Sequence, residues 1–192
     1  MHGDGRLDLG LLADGDTRNV VDEYRYWTEA AIKQDLAAKR QRNLHVAIEN
    51  WTHDFNIGSI VRTANAFNAA GVHIVGPKRY NRRGAMCTDH YLNMYYHDDV
   101  AALIAWAAVE QLPIIGIDNL PGSQPIENYQ FPKDCVMVFG TEKDGLTPPA
   151  IQASEALLHI TQQGSTRSIN AGAAAAIALY AFTNQPHAHR RG

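Results

Sequence analysis

The chain is predicted to fold as an α/β protein with a mostly parallel sheet and flanking helices, and three features of the sequence carry that prediction. Short, continuously apolar runs such as Val136-Met137-Val138-Phe139 have the composition of strands buried on both faces. These runs alternate with segments of helical periodicity, the pattern of a parallel sheet with crossover helices. Two of them empty into polar, glycine-bearing loops, and in an open parallel sheet ligands sit outside the carboxyl ends of the strands.

The elements follow in order. Residues 1–19 are rich in Gly, Asp and Arg without periodicity and are expected to be loose. From 22 to 42 one helix is expected, because Val20, Tyr24, Trp27 and Ala31 recur at spacings of three and four. Its end carries Lys39, Arg40 and Arg42, which suit either a solvated helix terminus or an RNA contact. A first strand spans 43–49, and a helix begins near Asn56 with Ile57, Ile60, Val61, Ala64 and Phe67 on one stripe. Arg62 points nearly opposite that stripe, at about 100° per residue. The helix stops at Gly71, and strands follow at 72–75, 92–96 and 112–117, with a helix at about 98–110. After the strand at 136–139 comes a loop with three charges between Gly140 and Gly145. A further apolar run at 156–160 leads through a polar loop to Ser168 and Asn170, which open an alanine-rich helix from Ala171 to about Phe182. The tail beyond Pro186 is expected to be disordered, and no internal repeat is present.

Composition excludes several classes. With 192 residues, 45% hydrophobic and 19% charged, the chain suits one substantial core rather than two domains. No apolar run approaches the ~20 residues of a membrane span, so no membrane partner is expected. The start lacks the basic and apolar regions of a signal peptide, and Cys87 and Cys135 make no disulfide framework. A reducing cytoplasm is the expected location. Net charge is -3, so any RNA binding depends on local basic patches or on the shared surface of a dimer.

Familiar catalytic signatures are missing: no G-x-x-x-x-G-K-S/T, no G-x-G-x-x-G after a strand, no G-x-S-x-G. Nine histidines include no H-E-x-x-H, and no metal is expected; His187 and His189 form at most a weak tail pair. His90 and His97 read as structural. What remains is distributed: Asn56 and Arg62 at one helix start, Glu142 after a strand, Ser168 and Asn170 at another helix start. Each has a plain alternative. Asn56 suits a helix N-cap, Arg62 a surface position, Glu142 a solvated turn, and Ser168 and Asn170 a helix start.

Taken together these stretches carry a resemblance. The run from Asn56 to Ala64 looks like the first motif of the SpoU-type (TrmH-like) RNA methyltransferases of the SPOUT superfamily. Phe139 to Leu146 resembles their second motif, and Ser168-Ile169-Asn170 their third, in matching order and spacing over roughly 44–182. Thr141 stands where proline is common, and Ile169 where leucine or methionine is usual; both leave the loop backbones able to do the same work. Residues 1–43 and 78–91 lie outside the resemblance, which leaves substrate choice open.

The resemblance implies a deep trefoil knot at the C-terminus, an S-adenosylmethionine cofactor giving S-adenosylhomocysteine, a ribose 2′-hydroxyl of tRNA or rRNA as methyl acceptor, and a homodimer. It implies a catalytic role for Arg62, as clamp on the RNA phosphate or as base, with Asn56 and Glu142 positioning it and Ser168 and Asn170 completing the site. Gly140, Ile160 and Ile169, with Asn119 and Leu120, are the expected cofactor-binding positions. It also divides the chain into an extension with one helix (1–43), a methyltransferase domain (44–184) and a tail (185–192). Arg79, Arg82 and Arg83 suit either RNA contact or a solvated loop. Two rival readings are a catalytically silent knotted RNA-binding or ribosome-assembly factor, and methylation of a base nitrogen.

Overall fold

The computed structural model describes residues 4–51 and 56–185. Seven strands form one sheet: β1 (Leu44–Glu49), β2 (Gly71–Val75), β3 (Met94–His97), β4 (Ile114–Ile117), β5 (Gln124–Pro125), β6 (Cys135–Phe139) and β7 (Ala156–His159). Their order is β3-β2-β1-β6-β4-β7-β5, and every pairing is parallel. Six α-helices accompany them among the described residues: α1 (Leu9–Asp14), α2 (Glu29–Lys39), α3 (Ile57–Ala66), α4 (Val100–Val109), α5 (Pro148–Ala153) and α6 (Ala171–Asn184).

Strand alternation explains the two layers. Val46, Ile48, Val72, Ile74, Met137 and Phe139 point to one face, where they pack with Ile57, Ile60 and Val61 of α3 and Ala175, Leu179 and Phe182 of α6. Ala47, Val75, Val136 and Val138 point to the other, against Val100, Leu103 and Ala107 of α4 and Ala150 of α5. Every residue of β1, β2, β4 and β6 is buried, including the polar His45, Glu49 and His73.

The N-terminal segment departs from expectation. Its described part holds two α-helices rather than one. Asp8 caps α1 through its carboxylate, which accepts from the amides of Gly10 and Leu11. Asp16 is buried and accepts from Arg18 Nη2 at 2.7 Å and from the Tyr26 amide at 2.8 Å. The Arg18 guanidinium beside it holds its carboxyl well below the usual range. The helix expected over 22–42 is broken: a short 3-10 turn at Asp22–Tyr24, a left-handed Tyr26 (φ 65°), and a fresh start at Thr28, whose hydroxyl accepts from the Ala31 amide. The apolar repeat that suggested one helix is instead satisfied in three dimensions, where Val20, Tyr24 and Trp27 pack with Ile32, Leu36 and Tyr91.

The three basic residues at the end of this segment all bond within the chain. Lys39 pairs with Glu23 and Asp35, each at 2.7 Å. Arg40 donates to the carbonyls of Asn68 (3.1 Å) and Ala69 (3.2 Å) just past α3, and Arg42 to those of Lys133 (3.0 Å), Pro132 (2.7 Å) and Phe182. Both guanidinium groups therefore satisfy carbonyls near helix ends, where a positive charge is favoured. Beyond this segment, β5 and α5 are additions to the expected set, and the third strand begins two residues late and ends one later. The tail at 186–192, with His187 and His189, lies outside the described residues.

Between the sheet edge and α4 three histidines form a row, His73 stacked on His97 and His45 edge-on to His73. His45 Nδ1 lies 2.9 Å from His73 Nε2, and His73 Nδ1 lies 2.8 Å from His97 Nε2, with Tyr95 and Trp106 against the rings. Burial pushes His45 down to about 4 and His73 to about 2, and lowers His97 as well. Unfolded histidines take up protons near 6.5 that these cannot, so stability is complete above that pH and is lost as pH falls towards 4. Each histidine contributes a slope of up to about 1.4 kcal/mol per pH unit in that window. Urea midpoints should therefore drop between pH 7 and pH 5, and a His73→Leu variant should show a flatter dependence; equal slopes would refute the assignment.

Candidate active site

Three strands end side by side: β4, β6 and β7, and the loops that leave them enclose a cavity of about 290 Å³. The loop after β6 closes on itself, because the Thr141 amide donates to the Gly145 carbonyl at 3.1 Å and the Gly145 amide returns to Thr141 at 2.9 Å. The Thr141 hydroxyl also accepts from the Asp144 amide at 3.1 Å. A proline at 141 would lose the first of these bonds, so the threonine here supports the loop differently from the proline common in the resembling proteins. Gly140 has no alternative residue: a Cβ there would lie 2.0 Å from the Gly145 carbonyl carbon.

All five positions expected to bind cofactor line this one cavity: Asn119, Leu120, Gly140, Ile160 and Ile169. Glu142 and Ser168 line it too. Asn119 Nδ2 donates to the Arg167 carbonyl at 3.2 Å, tying the loop after β4 to the loop before α6. Two residues that sequence reasoning did not single out also bear on the cavity. Asp118 accepts from the Leu146 amide (2.8 Å) and the Asn119 amide (2.7 Å), holding two of its walls together. Gln162 lines it with a buried Oε1 that has no hydrogen-bond partner in the described structure. Asp118 was findable as the first polar residue past a buried strand; nothing in the sequence marks Gln162.

Beside the cavity, the three distant stretches meet. Asn56 Nδ2 donates to Glu142 Oε2 at 2.8 Å, and Asn170 Nδ2 donates to Asn56 Oδ1 at 2.8 Å. Asn56 stands at the N-cap position of α3 but makes no side-chain cap there, so its amide serves the site and not the helix. Asn170 does both, since its Oδ1 caps α6 by accepting from Gly172 (2.9 Å) and Ala173 (3.2 Å). Gly172 keeps this junction tight, with Ser59 Cβ 3.3 Å from where its own Cβ would be. Arg62 is exposed on the outer side of α3, as its periodicity predicts. Glu142, expected to orient it, accepts from Asn56 at the start of the same helix. Ser168 is exposed, and its carbonyl accepts from the Thr166 hydroxyl at 2.9 Å.

A second carboxylate, Glu49 at the end of β1, is fully buried and was not anticipated. It accepts from the Thr147 amide (2.9 Å) and hydroxyl (2.6 Å) and from Trp51 Nε1 (3.2 Å), pinning the exit of the β6 loop to the end of β1. Among the described residues no cluster of His, Cys, Asp or Glu is arranged to hold a metal ion.

These features define a class: a parallel α/β protein with its pocket and its polar side-chain relay at the carboxyl ends of the central strands. The SpoU rRNA Methylase family model matches residues 43–180, and the chain belongs to that family. Among its relatives, the tRNA (guanosine(18)-2′-O)-methyltransferase of Escherichia coli K12 is 23% identical over 154 residues, covering 79% of this chain and 67% of that protein. The enzyme of the same name from Mus musculus is 24% identical over 176 residues, 83% of this chain but 11% of its own length, so this chain spans only part of the relatives it matches. The SpoU methyltransferase AviRb of Streptomyces viridochromogenes, solved in complex with the cofactor AdoMet, has the same fold at a TM-score of 0.68, with 24% identity over 75% of this chain and 58% of that one.

Replacing Gly140 with alanine should cost about 2–4 kcal/mol, because the added methyl meets backbone that cannot move aside. Gly164→Ala is the control, since nothing lies within 4 Å of a Cβ there. Denaturant midpoints of the two variants check this, and equal midpoints would contradict it.

Proposed function

We propose that this protein is an S-adenosylmethionine-dependent RNA methyltransferase that methylates a ribose 2′-hydroxyl of tRNA. The observation that carries this reading is the Glu142–Asn56–Asn170 relay, which joins all three motif stretches beside a cavity lined by every expected cofactor position. Family membership supports the reaction class. The names of the E. coli and mouse relatives support tRNA over rRNA and the 2′-hydroxyl over a base nitrogen.

The residues present suit the cofactor. Apolar walls from Leu120, Ile160 and Ile169 suit an adenine ring, and the unpartnered Gln162 Oε1 offers an acceptor to an amino group. S-adenosylmethionine supplies a methyl group already activated on a sulfonium. The protein's own task is then orientation, which needs neither a covalent nucleophile nor a metal. Arg62 would hold the RNA phosphate next to the reacting ribose, since a planar guanidinium pairs with phosphate bidentately. Asn56, held between Glu142 and Asn170, fixes the first turn of the helix that carries Arg62, and Ser168 faces the same cavity.

Three further parts of the reading go with it. The chain takes the trefoil knot that the resemblance implies; the connection between β4 and β6 bonds both the segment before α6, through Asn119 and Arg167, and the residue after it, through Phe131 and Gln185, which supports that reading. Residues 44–184 form the methyltransferase domain, with 1–43 as an extension leaning on it. The protein works in the cytoplasm as a homodimer; no helix among the described residues is long and apolar enough to cross a membrane. α6 supports the dimer, because it leaves Ile177 (42%) and Tyr180 (61%) exposed on one side.

Labelled S-adenosylmethionine, offered with separate tRNA and rRNA pools lacking native modifications, should yield a 2′-O-methylnucleoside from tRNA by mass spectrometry. A base-methylated product, or cofactor binding without transfer to either pool, would overturn the assignment. Arg62→Ala should lower transfer by about a hundredfold or more, about 2.7 kcal/mol of transition-state binding, while cofactor affinity stays within a few fold. Arg62→Lys should recover little, because the bidentate geometry is lost. Ile177→Glu should shift the sedimentation coefficient from dimer to monomer; an unchanged value would place the interface elsewhere.

A further inference from the structure

Past the carboxyl end of β1, Trp51 is held in an unusual way. Its indole nitrogen donates to the buried Glu49 carboxylate, which is itself fixed by Thr147. Its six-membered ring lies against Gly76, where a Cβ would come within 2.8 Å of Cζ3, and Gly76 takes the left-handed φ of 97°. The ring is therefore pinned by one edge and backed by main chain, yet 41% of the residue remains exposed. An indole placed only to fill a core would not be left so open, and one placed only on a surface would not be anchored to a buried carboxylate.

The flank of this ring is basic. Residues 77–84 include Lys78, Arg79, Arg82 and Arg83 and no acidic residue, in a chain whose net charge is -3. The loop is tied next to Trp51 by the neighbouring Asn50, which is fully buried and donates to the carbonyls of Pro77 and of Arg79 (3.1 Å). Lys78 Nζ sits 6.0 Å from the ring of Tyr96, a second exposed aromatic at the end of β3. An anchored aromatic face beside a positive loop matches the chemistry of an unpaired nucleotide: a base that stacks and a phosphate that pairs.

We propose that Trp51 is a stacking platform for one unpaired base of the RNA, with the 78–83 loop holding the adjoining backbone, and that this pair selects which nucleotide enters the site. The inference rests on RNA being the substrate, and is tested by binding, which does not require methyl transfer. The probes are an unmodified tRNA transcript and a blunt RNA duplex without unpaired bases, titrated in the absence of cofactor.

Trp51→Ala should weaken tRNA binding by about five- to a hundredfold, the equivalent of ~1–3 kcal/mol for one base stack, and leave duplex binding unchanged. Trp51→Phe should keep most of the affinity, and Trp51→Leu, which packs on Gly76 but cannot stack, should behave like alanine. All three variants lose the indole bond to Glu49 and should share a similar drop in thermal midpoint, so a tRNA affinity kept by Trp51→Phe and lost by Trp51→Leu separates a platform from a merely structural ring. Wild-type affinity in Trp51→Ala or in Trp51→Leu, an equal loss on the duplex, or no binding of the transcript by the wild-type protein would each overturn the proposal. Tight binding sensitive to Trp51 without any methyl transfer would uphold the platform and sink the methyltransferase reading instead.

Discussion

β6 has to be paired on both edges and covered on both faces, and most of this molecule follows from meeting that demand. Its five residues are buried throughout, so neither its amides nor its side chains can turn to water. β1 takes one edge and β4 the other, α3 with α6 covers one face, and α4 with α5 covers the opposite face. Because β6 is central, the loop that leaves it emerges in the middle of the sheet's carboxyl edge, within bonding distance of segments 86 and 98 residues away in sequence. The pocket is where it is because the most constrained strand ends there.

The parts legible in the sequence were those fixed by burial alone. Parallel strands covered on both faces read as apolar runs, and β4 and β6 were readable for that reason; β1 and β2 read through despite a buried histidine in each, and β7 is only partly buried. The expected site residues were picked out because their stretches resemble motifs, yet their bonding was not legible. Nothing in the spacing says that Asn56 would give its amide to Glu142 and its oxygen to Asn170, since that choice depends on how three loops meet. β5 has two residues and α5 six, both too short for periodicity to register. The N-terminal segment misled for a different reason. The spacing of Val20, Tyr24 and Trp27 is helical, but Tyr26 adopts a left-handed backbone that no local rule demands, and the buried Asp16 that accepts its amide is ten residues earlier.

Charge was the other place where local reading fell short. Lys39, Arg40 and Arg42 form a basic patch on paper, and in three dimensions they are consumed one by one by carboxylates and main-chain carbonyls. Lys78, Arg79, Arg82 and Arg83 look equivalent in sequence but sit in an exposed loop at the same edge of the sheet as the pocket. A count of basic residues does not show this difference: Arg40 and Arg42 are drawn onto main-chain carbonyls, whereas Arg82 pairs with the Asp89 carboxylate at 3.8 Å.

The histidine row has a polarity. His45 Nε2 faces Asn43 Oδ1 at 3.1 Å, an acceptor, so that nitrogen carries the hydrogen and Nδ1 does not. Nδ1 must then receive a hydrogen from His73 Nε2, and His73 Nδ1 in turn from His97 Nε2. One amide oxygen at the sheet's entrance thus decides the tautomer of three rings spread over three strands, single file. Turning that amide around would ask every hydrogen in the row to change places, so the three rings are one unit of information, written once at Asn43 and read out at the far edge of the sheet.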